Sequence, residues 1–180
     1  MTDWARTILD PTSGEKSVLD TRLAPRPTTL DGLTLCLLDN GKANGGLLLS
    51  EVAGALGQRF RLAGVEVFVK DDAGTTLPDA MLHDLVALGG VAVTAIGDCG
   101  SCSAATVADG IELERVGVPT VSICSDAFRL SAATMADTRG FPGYEYVSVG
   151  HPVASLDLAG VRTRVTDALP RILAILGADG

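Results

Sequence analysis

The stretch from Val91 to Phe128, VAVTAIGDCGSCSAATVADGIELERVGVPTVSICSDAF, constrains the fold more than any other part of the chain. Val91 to Ile96 is a short apolar run, which predicts a buried strand. Gly97-Asp98-Cys99-Gly100-Ser101-Cys102 is a glycine-punctuated turn that carries two cysteines. From Ser103 to Arg115, Ala104, Val107, Ala108, Ile111 and Leu113 gather mostly on one side of a helix. Gly117 then stands where a left-handed residue would end that helix. Val118 to Cys124 reads as the next strand, so the stretch is a strand–turn–helix–strand unit.

The same alternation runs through the rest of the chain. Leu33 to Leu38 predicts a first strand, followed by the polar, glycine-rich loop Asp39 to Gly46. Leu48, Val52, Ala55, Leu56 and Phe60 recur at helical spacing, Val65 to Val69 is a second strand, and Pro78 can open a helix that reaches Leu88. Beyond the central unit, Asp126 to about Thr138 reads as a helix, Phe141 to Tyr144 as a turn, and Glu145 to Val149 as a fifth strand closed by His151-Pro152. Leu158, Val161, Val165, Leu169, Ile172 and Leu176 predict a final helix that Pro170 should kink or restart. Strand and helix alternating five times predict a single α/β domain over residues 30–180, flavodoxin-like or Rossmann-like. Its five-stranded parallel sheet should have the order 2-1-3-4-5, with right-handed crossovers and helices on both faces. Residues 1–29 hold Pro11, Pro25 and Pro27 without sustained periodicity, and read as an arm lying on the body or on a second subunit. Trp4, Ile8 and Leu9 would dock that arm, which predicts a homo-oligomer.

Composition narrows the function classes. Aromatics are only 4% of the chain against 47% apolar residues, so the core must be built of Leu, Val, Ile and Ala. A net charge of −8 argues against nucleic acid or an anionic membrane as partner. No apolar stretch is long enough to cross a bilayer, and the N-terminus lacks the basic and apolar regions of a signal peptide. These features predict a cytoplasmic protein, in which four cysteines are free, catalytic or metal-binding rather than structural disulfides.

The predicted topology places ligands beyond the carboxyl ends of the first and third strands, where strand order reverses. Those ends carry Asp39-Asn40-Gly41-Lys42 and Asp98-Cys99-Gly100-Ser101-Cys102, so the two loops should face each other across one crevice. A Cys-x-x-Cys at a helix start brings both sulfurs into one turn, where unpaired N–H groups and the helix dipole stabilise a thiolate. Gly100 lets the backbone bend, and Ser101 or Ser103 can cap the helix. Neither a second Cys-x-x-Cys nor a paired histidine completes a zinc site, so no metal and no cofactor are expected. Cys36 and Cys124 lie inside predicted strands and read as core residues. Lys42 is either a contact for an anionic substrate or a thiolate, or a solvated loop lysine. Asp98 either orients a thiol or a substrate amide, or caps the helix. His151, on the same edge, is either a general acid or base or a surface turn residue. Asp126 ends another strand and could line the crevice, whereas Glu112 and Glu114 read as solvated or paired with Arg115.

GDCGSC followed by ADGIELERVGVPTVSICSDAF resembles the UGSC-motif family, named for selenocysteine-Gly-Ser-Cys, whose cysteine-containing members read CGSC. The resemblance extends back to LLDNGKANGGLLL and forward to Gly150-His151-Pro152, covering roughly residues 30–155. It implies that Cys99 holds the selenocysteine position and Cys102 the paired thiol, with Asn40, Lys42, Asp98, Glu112 and Glu114 on family-like positions. The motif is also similar to that of the selenoprotein subunit of glycine-type reductases. What the resemblance implies is chalcogen-dependent catalysis, without a substrate. Three readings follow. In the first, a thiol-dependent enzyme acts on a small electrophilic metabolite held by Asn40, Lys42, Gly100, Ser101, Asp126 and His151. Cys99 attacks and Cys102 resolves the adduct or donates a proton, with Asp98 assisting and a redox partner protein as a possible source of electrons. In the second, non-redox cysteine catalysis such as racemisation or decarboxylation resembles that of aspartate/glutamate racemase-type domains, with Cys124 as the only candidate for the distant second thiol. In the third, the cysteines of a non-catalytic subunit bind a metal or dock a larger enzyme.

Overall fold

The computed structural model describes residues 19–178. Trp4, Ile8, Leu9 and Pro11 lie outside the described residues, and the predicted docking of the arm through them falls there too. Five strands, β1 (Thr34–Asp39), β2 (Gly64–Val69), β3 (Val91–Gly97), β4 (Thr120–Ser125) and β5 (Val147–Val149), form one sheet in the order β2-β1-β3-β4-β5. Every pairing is parallel, as the alternation of strands and helices requires. The helices are α1 (Gly45–Gly57), α2 (Asp79–Leu88), α3 (Gly100–Arg115), α4 (Arg129–Thr138) and α5 (Leu158–Leu176). The sheet is therefore the predicted 2-1-3-4-5 arrangement in a single α/β domain.

Burial along the strands explains the layering. β3 and β4 are buried at every position, which is why they read as unbroken runs rather than alternating ones. Along β1 the pleat sends Leu35 and Leu37 to one face and Cys36 and Leu38 to the other. The first face packs against α1 and α5 through Leu48, Leu49, Val52, Val161, Val165 and Ile172. The second receives α2 and α3 through Leu85 and Leu113, and α3 with α4 closes a third cluster around Ile111, Cys124 and Ala132.

Helix ends match their local chemistry. α3 stops in a Schellman arrangement: Gly117, at φ 92°, donates its N–H to Glu114 O, and Val118 donates to Leu113 O. α5 begins at Asp157, whose carboxylate accepts from Gly160 N, and ends at the left-handed Gly177. Pro170 does not restart α5, which is continuous from Leu158 to Leu176. Pro170 and Thr166, whose carbonyl loses its helical donor to the proline ring, both lie on the exposed face, where water can satisfy that carbonyl.

The segment from Leu19 to Leu30 runs along the body without regular secondary structure. Asp20 donates its N–H to Gly140 O, and Ala24 and Arg26 both reach Glu114 Oε2, at 2.7 and 2.8 Å. Glu114 Oε1 accepts from Thr120 N, so this carboxylate joins the strap, α3 and β4 in one place. Glu114 is buried rather than solvated, and its cation is Arg26 instead of the neighbouring Arg115. Sequence spacing could not reveal this, because the partners are 88 and 90 residues away.

Candidate active site

The carboxyl edge of β3 is irregular where the cysteine turn begins. Ala95 pairs with Ile123 and Gly97 with Cys124, which leaves Ile96 as an extra residue opposite the shorter β4. Such a bulge re-aims the residues that follow it. Gly97 is required by close packing, since a Cβ there would lie 2.6 Å from Cys124 Sγ and 2.7 Å from Ser103 Cα. The chain then enters α3 through Cys99, which is extended (φ −157°) and is the N-cap residue. Its sulfur accepts from Cys102 N at 3.2 Å, so the cap is the cysteine itself, not Asp98, Ser101 or Ser103. A sulfur in that position sits against the positive end of the α3 dipole.

Cys99 and Cys102 are joined as a disulfide, with their Cα atoms 5.2 Å apart. Cys102 is buried, whereas Cys99 is partly exposed. Gly100 is the first helical residue, and the exposed Ser101 places its hydroxyl 3.6 Å from Cys99 Sγ. Cys36 and Cys124 stand apart from this pair. Both are fully buried; desolvation pushes the Cys36 thiol up to about 11 and the Cys124 thiol up to about 12. Cys124 is packed behind Gly97 and Ser103, where burial disfavours its ionisation.

Asp98 points away from α3, toward the loop after β5. Its Oδ1 lies 2.9 Å from His151 Nδ1, and its Oδ2 accepts from Val153 N at 3.0 Å and Ala154 N at 2.9 Å. Burial works against the charge on this carboxyl, but the donors Ala154 N, Ser125 Oγ, Val153 N and His151 outweigh it and hold Asp98 below the usual carboxylate range. His151 is located from several sides. Its backbone N–H donates to Asp126 Oδ1 at 3.1 Å, and Ser125 Oγ, which donates to Gly97 O, lies 3.3 Å from Nδ1. Phe128 meets the imidazole edge-on at 5.3 Å between centroids. Ser125 and Phe128 carry no signal in the sequence, because their part is played only once β4 ends beside the β5 loop.

Across the switch point, Asn40 is buried and engaged with the protein. Its amide donates to Ile96 O at 2.9 Å and lies 3.4 Å from Thr106 Oγ1, while its oxygen accepts from Lys42 N. Asn40 therefore ties the end of β1 to the β3 bulge. Lys42 is exposed on the adjoining loop. The first turn of α1 is filled by Asp39: a Cβ on Gly45 would lie 2.8 Å from its Oδ1, and one on Gly46 2.7 Å from its Oδ2.

The loop between β2 and α2 forms a further wall that the sequence did not announce. A Cβ on Gly74 would lie 3.7 Å from Ser101 Oγ, so this loop borders the cysteine turn. It is fastened by Lys70 and Asp109, a buried pair at 2.6 Å. Lys70 Nζ also donates to Thr75 O, and Asp109 Oδ1 accepts from Leu77 N. Burial pushes the Asp109 carboxyl up, against the pull of Lys70. Asp98, Cys99, Gly100, Ser101, Cys102, Asp126 and His151 are thus brought to one edge of the sheet, with Asn40 supporting it from beneath and Lys42 on the rim.

Among the described residues, no group of three or more His, Cys, Asp or Glu side chains is placed to hold a metal ion. None of the described helices is long and apolar enough to cross a membrane. No curated protein matches the chain. The family model described as the UGSC family matches residues 7–178.

Proposed function

The chain belongs to the UGSC family, and on that premise we propose that it is a thiol-dependent enzyme that reduces a small electrophilic metabolite through Cys99 and Cys102. The observation that carries this reading is the Cys99–Cys102 pair at the start of α3, with one sulfur buried and the other reachable. In the reduced protein, the Cys99 thiolate attacks one atom of a reducible X–Y bond. Y leaves with the bonding electron pair and takes up a proton as YH, leaving X on Cys99. Cys102 then attacks Cys99 Sγ and gives up its proton; X departs with the sulfur–X electron pair as XH, and the disulfide forms. The substrate gains two electrons and the two thiols lose them. A dithiol, either a small molecule or a redox partner protein, returns the pair to the reduced state. Lys42 on the rim is the cation that suits an anionic group on the substrate.

Assigning attack to Cys99 follows from access. A nucleophilic thiol must be reachable and partly ionised, and the sulfur at the N-cap is both closer to solvent and held by the Cys102 N–H. Alkylation of the reduced protein with iodoacetamide, mapped by mass spectrometry, tests the assignment. Cys99→Ser is expected to abolish rapid labelling, whereas Cys102→Ser preserves adduct formation on Cys99 and blocks disulfide formation. Faster labelling of Cys102, surviving in Cys99→Ser, reverses the roles.

A further inference from the structure

We propose that His151 is the general base that removes the proton from Cys99, and that Asp98 is the positioning residue that fixes its ring. This rests on the thiol reading above and names the group that prepares the nucleophile. The two groups nearest His151 Nδ1 are Asp98 Oδ1 at 2.9 Å and Ser125 Oγ at 3.3 Å. The Asp98 carboxylate can only accept, and the Ser125 hydroxyl has Gly97 O and that carboxylate as acceptors for its one proton. The proton of a neutral ring is therefore on Nδ1, and Nε2 carries the free lone pair. The ring is 37% exposed while the Asp98 side chain is 4% exposed, so an anchored carboxylate holds an imidazole whose other side remains open.

Asp98 and Cys99 are consecutive, and the β3 bulge turns one toward the β5 loop and the other into the α3 cap. The ring is thereby held on the residue that precedes the nucleophile, by a hydrogen bond between groups 53 residues apart in sequence. The step is a proton transfer without electron transfer: Cys99 Sγ–H gives its proton to Nε2, leaving a thiolate and an imidazolium. That proton is then available to the leaving group Y. The Asp98 carboxylate stabilises the imidazolium as it forms. The charged or titratable groups near this ring are Asp98, just after β3, Asp126 on its backbone N–H, Arg164 of α5, which donates to Gly150 O, and Arg129 of α4, which reaches Ser148.

The test uses the full reduced chain and the rate of iodoacetamide labelling at Cys99, read by peptide mapping from about pH 6 to pH 9. His151→Gln is expected to slow labelling near neutrality by about tenfold or more, with the difference vanishing at the alkaline end, where solvent ionises the thiol without help. Asp98→Asn is expected to displace the profile in the same direction, because an amide can present its N–H to Nδ1 and favour the wrong tautomer. Labelling of His151→Gln at the wild-type rate across the range overturns the proposal. A normal profile in a folded Asp98→Asn, with His151→Gln slowed, overturns the positioning role alone. His151→Asn repeats the base test with a smaller side chain should the glutamine variant melt below the wild type. Absence of Cys99 labelling in the wild type at every pH overturns the thiol reading itself, and so separates the two failures.

Discussion

At the scale of single residues, Asp98 decides how the edge of the sheet is held together. Its carboxylate gathers the loop after β5 through His151, Val153 and Ala154, and these donors, with Ser125, keep it ionised below the ordinary range despite its burial. A carboxyl whose folded value is depressed contributes stability that is present above its unfolded value and lost as pH falls through the folded one. Asp98→Asn should therefore lower thermal stability above about pH 4, and the two proteins should converge at lower pH, where both side chains are neutral. Melting curves from neutral to acid pH check this; a difference that persists unchanged into acid assigns the loss to packing instead. Gly97 acts at the same scale by exclusion, because any side chain there would collide with Cys124 and with the start of α3. These two residues directly follow the bulge; the sequence showed Gly97 only as a member of a turn and offered Asp98 as a thiol-orienting group or a helix cap.

At the scale of elements, the loop between β2 and α2 owes its place beside Ser101 to a buried ion pair. Lys70 leaves the end of β2 and meets Asp109 in the middle of α3, and both side chains are almost fully shielded from water. Removing one partner strands the other charge, so Lys70→Met should cost about 3–5 kcal/mol. The double change Lys70→Met, Asp109→Leu should cost markedly less than the sum of the single changes, since it leaves no charge behind. Denaturant titration of the four proteins measures the coupling, and additive losses would remove the pair from this role. Helical periodicity found α3 from Ser103 to Arg115, short of its first turn, but it read Glu114 as solvated or paired with Arg115 and did not single out Asp109. Their partners come from β2 and from the strap before β1, which no local pattern connects to α3.

At the scale of the whole molecule, the two edges of the sheet are unlike. β5 is three residues long, whereas β2 has six and presents Val65, Val67 and Val69 at 44, 59 and 56% exposure. Those valines pair with Leu35, Leu37 and Asp39, so they lie on the α1 and α5 face but beyond the reach of either helix. An exposed apolar row, together with Trp4 in the leading segment, leads us to propose a homo-oligomer. Light scattering at micromolar concentration is expected to give a mass above that of one chain, and Val67→Lys should shift it downward. A single-chain mass for the wild type sinks the proposal.

The order of the elements, the parallel sheet and its switch point were legible in the sequence, because buried central strands and one-sided helices impose periodicities that survive without tertiary context. The cysteine pair was legible too, since its chemistry is local: four consecutive residues at a strand–helix junction bring both sulfurs together. The length of β5 and the continuity of α5 through Pro170 were decided by tertiary structure. So was the union of Asp98 with His151, of Lys70 with Asp109 and of Glu114 with the strap. Each of these joins groups separated by 39 to 90 residues, and such pairings exist only after the hydrophobic layers have set the distances between their elements. Periodicity records what a residue does for its own helix or strand. Which charged group it meets there is fixed by where the sheet places its neighbours.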